Sequence, residues 1–246
     1  RPRGRRRSCS GHGARPYRRT VLPRRREPFV QGIRRSRHRH IRREGPRSAN
    51  PVRDDVSFRR SGQHVYRPQC QHCNACIPVR IPVQAFAPNR NQMRCIKRNT
   101  DLDVRQIASI NSDACYALYE KYINTRHQDG DMYPATREQY DNFLGVPWPE
   151  SFYLTYYSKN RLIAVSVCDR FDNGYSAVYT FFDPDEHARS LGVFAVLNQI
   201  VRAKLEGLDY LYLGYWIKNC DKMRYKSQYQ PLEMRVNNQW QVFSLD

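Results

Sequence analysis

The sequence predicts an α+β fold: a mixed, largely antiparallel sheet with flanking helices, preceded by a small cysteine-containing region and an Arg-rich head. Three observations carry this expectation. The chain has 246 residues, enough to bury a substantial core. Beyond residue 53, strand-like and helix-like periodicities follow one another. The charge is concentrated at one end. Of a formal net charge of +19, residues 1–53 hold +17, from 19 Arg and two acids, and the remainder is nearly neutral at +2.

The head, 1–53, is mostly Arg, Pro, Gly, Ser and His, and lacks Lys, Met, Trp and Asp. Such a segment buries too little apolar surface to offset its chain entropy, so disorder is expected. A basic arm that binds RNA is one reading. The composition also matches GC-rich DNA translated out of frame, and the texture changes abruptly near Asp54–Phe58. We expect the head to be frameshifted. It has no apolar h-region, so it is not expected to be a secretory signal. No run of eighteen apolar residues occurs, so no membrane span is expected.

Residues 54–100 form the expected Cys-rich region. QCQHCNACIPVRIPV places Cys70, Cys73 and Cys76 at C-x2-C-x2-C. Two intervening residues let consecutive thiolates converge on one zinc ion or iron–sulfur cluster. The set is incomplete, since a closed site needs a fourth ligand; the plain alternative is reduced thiols packing a turn. Eight Cys in a chain of this length suit an intracellular metal or redox site better than a disulfide scaffold. Pro78, Pro82 and Pro88 punctuate the next segment, where Val79, Ile81 and Val83 alternate as in an edge strand. NRNQMRCIKRN (89–99) is basic and polar, a solvated helix or loop or a phosphate contact.

Residues 101–246 form the expected main domain. SDACYALYEKYINTR (112–126) predicts a helix capped by Ser112, with Cys115, Leu118, Tyr119, Tyr122 and Ile123 on one face. HQDGDMYP breaks it and carries His127, Asp129 and Asp131, which suit either a polar turn or catalysis. Thr136 and Gln139 stand at capping-box spacing for a second helix. SFYLTYY (151–157) and RLIAVSVCD (161–169) flank SKN as a hairpin. FDNG turns the chain into YSAVYTFF (175–182). SLGVFAVLNQIVRAKLEG predicts a helix whose apolar face is Phe194, Leu197, Ile200, Val201 and Leu205, closed by Gly207. DYLYLGYW (209–216) is the next strand.

That strand runs into GYWIKNCDKMRYKSQYQP (214–231), where cations alternate with phenols. A solvated loop is the plain reading. A site for an anionic, flat-faced ligand is the sharper one. Tyr215, Trp216 and Tyr229 could stack a base, and Lys222, Arg224 and Lys226 could meet phosphates or a carboxylate.

The order strand, strand, strand, helix, strand resembles the acyltransferase core of the GNAT superfamily. A narrower resemblance covers about residues 58–246. FRRSGQHVYRPQCQHCNACIPVRIPV, KRNTDL, HQDGDMYP, AVYTFFDPDEHARSLG and YLYLGYWIKNCDKMRYKSQYQPLE are similar to the bacterial aminoacyl-tRNA–protein transferases. These are the aspartate/glutamate leucyltransferases, relatives of the arginyl-tRNA–protein transferases. The resemblance implies a cytoplasmic enzyme with a GNAT-like domain at 101–246. It would move leucine, or else arginine, from aminoacyl-tRNA to the α-amine of proteins beginning with Asp or Glu. The product enters the N-degron route of protein degradation. Transfer would require no cofactor, while the cysteine run could hold iron–sulfur or zinc. The resemblance leaves the oligomeric state open.

Transfer from an activated ester asks for a positioned amine, a base and a stabilised oxyanion. Asp183 and Tyr225 are the expected catalytic groups, with Asp183 equally suited to cap a helix. Gly192 marks the helix start near the acyl donor. Two rivals remain. A CoA-dependent GNAT N-acetyltransferase would hold pyrophosphate at Arg189–Gly192, where Phe194 is expected to obstruct the backbone. A non-catalytic, Cys-ligated RNA-binding redox sensor would use the cysteine run and the head.

Overall fold

The computed structural model describes residues 59–68 and 73–243. The expectations for 1–53 and for Cys70 therefore lie outside the described residues. A short hairpin, β1 (Arg59–Ser61) and β2 (His64–Tyr66), stands apart from the main sheet. The main sheet has eight strands among the described residues. In chain order these are β3 (Ile77–Pro82), β4 (Asp103–Ile107), β5 (Ser151–Ser158), β6 (Arg161–Phe171), β7 (Gly174–Phe182), β8 (Tyr210–Trp216), β9 (Glu233–Val236) and β10 (Gln239–Val242). Their spatial order is β10-β9-β3-β8-β7-β6-β5-β4. Every pair is antiparallel except β7–β8, which is parallel. This is the mixed, largely antiparallel sheet that the sequence predicts.

The helices lie on both faces. α1 (Arg90–Arg98), α2 (Asp113–Arg126), α3 (Arg137–Phe143) and α4 (Leu191–Leu205) start at side-chain caps, α4 excepted. Ser112 accepts from the Cys115 N–H, and Thr136 from the Gln139 N–H, as their spacing predicts. Asn89 and Gln92 form a reciprocal capping box at α1. One core contains Leu118, Tyr119, Tyr122 and Ile123 of α2 with Tyr153, Val165 and Phe181 of the sheet. The opposite core joins Phe194, Leu197 and Ile200 of α4 to Leu154, Tyr156, Leu211 and Leu213. Because both faces are covered, β5 and β6 are buried almost continuously instead of alternating.

Two expectations are corrected. β3 is not an edge strand, for it lies between β8 and β9. Its prolines are tolerated because β9 pairs only with Val79 and Arg80, leaving positions 78 and 82 outside that ladder. The apolar face of α4 is also different. Val201 is 51% exposed and Leu205 82% exposed. Leu191, Phe194, Ala195, Val196 and Leu197 wrap the first turns into the core, whereas the later turns bury only Gln199, Ile200 and Ala203. The a/d-like stripe that includes Val201 and Leu205 thus runs out into solvent.

Candidate aminoacyl-transfer site

The parallel strands β7 and β8 are paired only from Gly174/Tyr210 to Ser176/Tyr212. Beyond that level they part, β7 continuing to Phe182 and β8 to Trp216. Each strand carries a bulge where they separate. On the β6 side the register skips Val178, and on the β3 side it skips Leu213. Extra residues bend a strand away from its neighbour, so the bulges open a wedge in the sheet. Gly214 follows at φ +78°, a conformation that favours glycine.

Arg59 of β1 fills the floor of the wedge. Its Nη1 donates to Ser176 Oγ at 2.8 Å and its Nη2 to the Ala177 carbonyl at 2.7 Å. A Cβ on Gly214 would stand 3.0 Å from the guanidinium carbon. The glycine is therefore needed both for its backbone and for the approach of Arg59. Its neighbour Arg60 anchors the hairpin to the sheet, donating to both carboxylate oxygens of Asp169 at 2.7 and 2.9 Å and to Ser151 Oγ at 3.0 Å.

The 3₁₀ segment Asp221–Gln228 crosses the open end of β8. Lys226, only 8% exposed, donates to the Tyr215 carbonyl. Burial, and then the positive charge of Arg59, pushes Lys226 down to about 8. Among the described residues no carboxylate forms an ion pair with Arg59 or Lys226. Tyr225 is 43% exposed, with its ring centroid 5.9 Å from Lys226 Nζ.

The opposite wall comes from α2 and the end of β7. Tyr122 packs against Phe182 and His127 with ring centroids 4.9 Å apart in each case. Burial, then Lys222 and Arg126, pushes His127 below its ordinary value, so the imidazole is neutral near pH 7. Lys222 Nζ reaches Asp129 at 2.8 Å and ties this loop to the 3₁₀ segment. Burial pushes the Tyr122 phenol up, and nearby Tyr225 adds to that rise.

The sequence-predicted residues are thus divided. Tyr215, Tyr225 and Lys226 gather at the wedge. Lys222 lies at its rim, and Arg224 pairs in solvent with Asp221 at 2.8 Å. Trp216 and Tyr229 are corrections. Tyr229 is 1% exposed, and Trp216 is also buried in the core around α4, so neither offers a ring face to a base. Their alternation with charge reflects a segment that tucks its large rings inward. Asp183 is an ionic hub and a cap, not a free base. It accepts from Lys121 Nζ at 2.6 Å, from Arg161 and from the Asp185 N–H at 3.1 Å. Burial alone would raise its pKa, but these donors outweigh burial and hold the carboxyl below its usual range.

Gly192 is covered by Phe182, whose ring carbon would lie 3.3 Å from an added Cβ. Phe194 does not obstruct the start of α4, because it turns into the core against Tyr156 with centroids 5.9 Å apart. What occupies the pyrophosphate approach expected of a CoA enzyme is different. Arg189 is held by both oxygens of Asp101 at 2.8 and 2.9 Å and by Glu186. Sequence reasoning missed Arg59, Arg60 and Lys121, whose partners lie 62 to 118 residues away.

Cys73 is exposed and Cys76 half-buried. Cys73 Sγ accepts from the Ala75 N–H at 3.4 Å. Cys76 lines a small cavity of about 230 Å³ with Arg67, Tyr215 and Arg235. Among the described residues no cluster of three or more His, Cys, Asp and Glu side chains is arranged to hold a metal ion.

The family model described as arginine-tRNA-protein transferase, N terminus, matches residues 50–94, and its C-terminal counterpart matches 114–236. The aspartate/glutamate leucyltransferase of Saccharophagus degradans is 54% identical over 190 residues, covering 77% of this chain and 80% of that protein. That of Teredinibacter turnerae is 55% identical over 184 residues, covering 74% and 76%. Among solved structures, L-PGS from Bacillus licheniformis matches with a TM-score of 0.41 and 10% identity, over 59% of this chain and 48% of that chain. Matched by both halves of the family and by close relatives over three quarters of its length, the chain belongs to the arginine-tRNA-protein transferase family.

Proposed function

We propose that the chain transfers leucine from leucyl-tRNA to the α-amine of proteins that begin with Asp or Glu. The observation that carries the choice of leucine is the 54% identity to an aspartate/glutamate leucyltransferase. The wedge between β7 and β8 is where we place the reaction. The acceptor nitrogen attacks the ester carbonyl, the bond from that carbon to the ribose oxygen breaks, and an amide forms. One proton must leave the nitrogen and one must reach the ribose oxygen.

The residues at the wedge supply what this step needs. The neutral imidazole of His127 suits the acceptor's proton. Tyr225 and Lys222, both exposed at the rim, suit the terminal base and phosphates of the donor. The first N–H groups of α4, which has no side-chain cap, face the developing oxyanion in this reading. Asp183, held low and fully paired, positions Lys121 and Arg161 at the end of β7 rather than taking a proton. In this reading Cys70, Cys73 and Cys76 would supply thiolates to a structural zinc or iron–sulfur site, with Cys76 beside Tyr215. Metal analysis of anaerobically purified protein tests this, with a Cys73→Ser variant expected to lose the metal.

The deciding experiment is transfer from radiolabelled Leu-tRNA and Arg-tRNA to peptides beginning Asp, Glu or Ala. Leucyl label on the two acidic-start peptides alone is the expected result. Arginyl label would replace the donor, and label on the Ala peptide would remove the acceptor rule. An acetyl-CoA reading is disfavoured by the locked Arg189; calorimetry with acetyl-CoA should show no binding.

A further inference from the structure

We propose that Arg59 and Lys226 form a carboxylate-binding subsite at the floor of the β7/β8 wedge, which receives the acidic side chain of the acceptor's first residue. The proposal rests on the acceptor reading given above and assigns residues to it. It begins from charge. Two largely buried cations stand close enough for the charge of Arg59 to act on Lys226, and among the described residues neither forms an ion pair with a carboxylate. The nearest candidate, Asp169, is bound on both oxygens by Arg60. A buried charge is costly unless paired, and two like charges add to the cost. An incoming anion would remove both costs together.

The geometry favours a carboxylate over a phosphodiester. Arg59 is held flat by Ser176 Oγ and the Ala177 carbonyl, and the bare Gly214 backbone lies against its face. A fixed guanidinium edge suits a planar, bidentate anion. Lys226 is tethered through the Tyr215 carbonyl and brings a second donor from the other strand. A tRNA backbone is bulky and would meet the exposed cations at the rim first. A short acidic side chain reaches the floor, and its binding there fixes the α-amine at the mouth, close to the donor ester.

The subsite also explains the acceptor rule. A neutral Asn or Gln leaves both cations unpaired, whereas Asp or Glu satisfies them. Discrimination by an unpaired buried polar group reaches several orders of magnitude.

The test is equilibrium binding of fluorescent peptides that differ only in Asp or Asn at position one, alongside leucine transfer to the same peptides. The 246-residue chain should prefer Asp in both. Arg59→Gln should lower Asp-peptide affinity by about two orders of magnitude and bring it to the Asn level. Lys226→Met should lower it by roughly tenfold. Arg59→Lys keeps the charge, guards against a folding defect and should retain part of the preference. Leu-tRNA affinity should be unchanged in all three. A natural-sequence protein that transfers leucine yet binds the two peptides alike would overturn the subsite and leave the transferase reading intact. Folded Arg59→Gln and Lys226→Met proteins that keep the Asp preference would also overturn it, as would loss of Leu-tRNA binding instead. Selective Asp-peptide binding without leucine transfer would support the subsite and sink the donor assignment.

Discussion

Lys226 and His127 are two residues at the wedge whose surroundings lower their pKa values. Lys226 faces Arg59, Tyr225 and Cys220, and its pKa falls from 10.5 to about 8. Between those values the unfolded chain holds a proton that the folded chain has released. Stability should therefore rise as pH increases through this window. Urea melts from pH 7.5 to 10.5 should show that rise in the natural sequence and lose it in Lys226→Met. Below pH 8 the cation is retained at a cost to the fold, which is the range in which an anionic acceptor would pair with it. His127 is different, being exposed to Lys222 and Arg126 on one side and Asp129 on the other. His127→Asn should lower kcat by roughly two to four orders of magnitude, with little change in KM. A small loss of kcat would move the proton acceptor elsewhere. At the ionic anchor, Arg60→Met leaves Asp169 buried without its cation. It should lower stability by about 3–5 kcal/mol, measured by chemical denaturation.

At the level of elements, the wedge depends on one glycine and two skipped residues. A side chain at Gly214 meets both an unfavourable φ of +78° and the Arg59 guanidinium at 3.0 Å. Gly214→Ala should cost about 1–3 kcal/mol and also reduce the preference for acidic acceptors, because Arg59 must move. Loss of stability without a change in acceptor preference would separate the bulge from the site. Much of the surrounding frame was legible locally. Ser112 and Thr136 cap where their spacing says, and the SKN turn places Lys159 and Asn160 at positive φ between β5 and β6. The hairpin β9–β10 was missed, although Asn237 and Asn238 adopt the same left-handed turn; asparagine tolerates that region. The wedge was not legible, since strand periodicity does not report where two parallel strands part. Arg59 was hidden for a related reason. A cation becomes a site only through what surrounds it, and here those groups come from β7, β8 and the 3₁₀ segment, far along the chain. The ring–cation alternation of 214–231 was visible, but which rings turn inward was decided by the core around α4.

Across the whole molecule, the region before Asp101 is part of the main sheet and not an appendage to it. β3 is paired along its full length with β8 and joins β8 to β9. Val79, Ile81 and Val83 are fully buried in the core beneath α4, and α1 packs on α4, with Asn99 and Cys95 both donating to the carbonyl of Arg189. Removing residues before 101 would therefore take out an interior strand, expose the edges of β8 and β9, and uncover the start of α4. An unpaired interior edge invites aggregation, and the lost burial would amount to several large apolar side chains at about 1.5–3 kcal/mol each. That sum exceeds the margin by which a typical domain is folded. A protein of residues 101–246 is expected to be insoluble or to lack near-UV circular dichroism and a cooperative melt, whereas the 246-residue chain should melt in one transition with coincident near- and far-UV signals. If residues 101–246 instead melt cooperatively, β9 must close directly onto β8. Arg59, β1 and the cysteine run would then belong to a module that docks on a preformed transferase core.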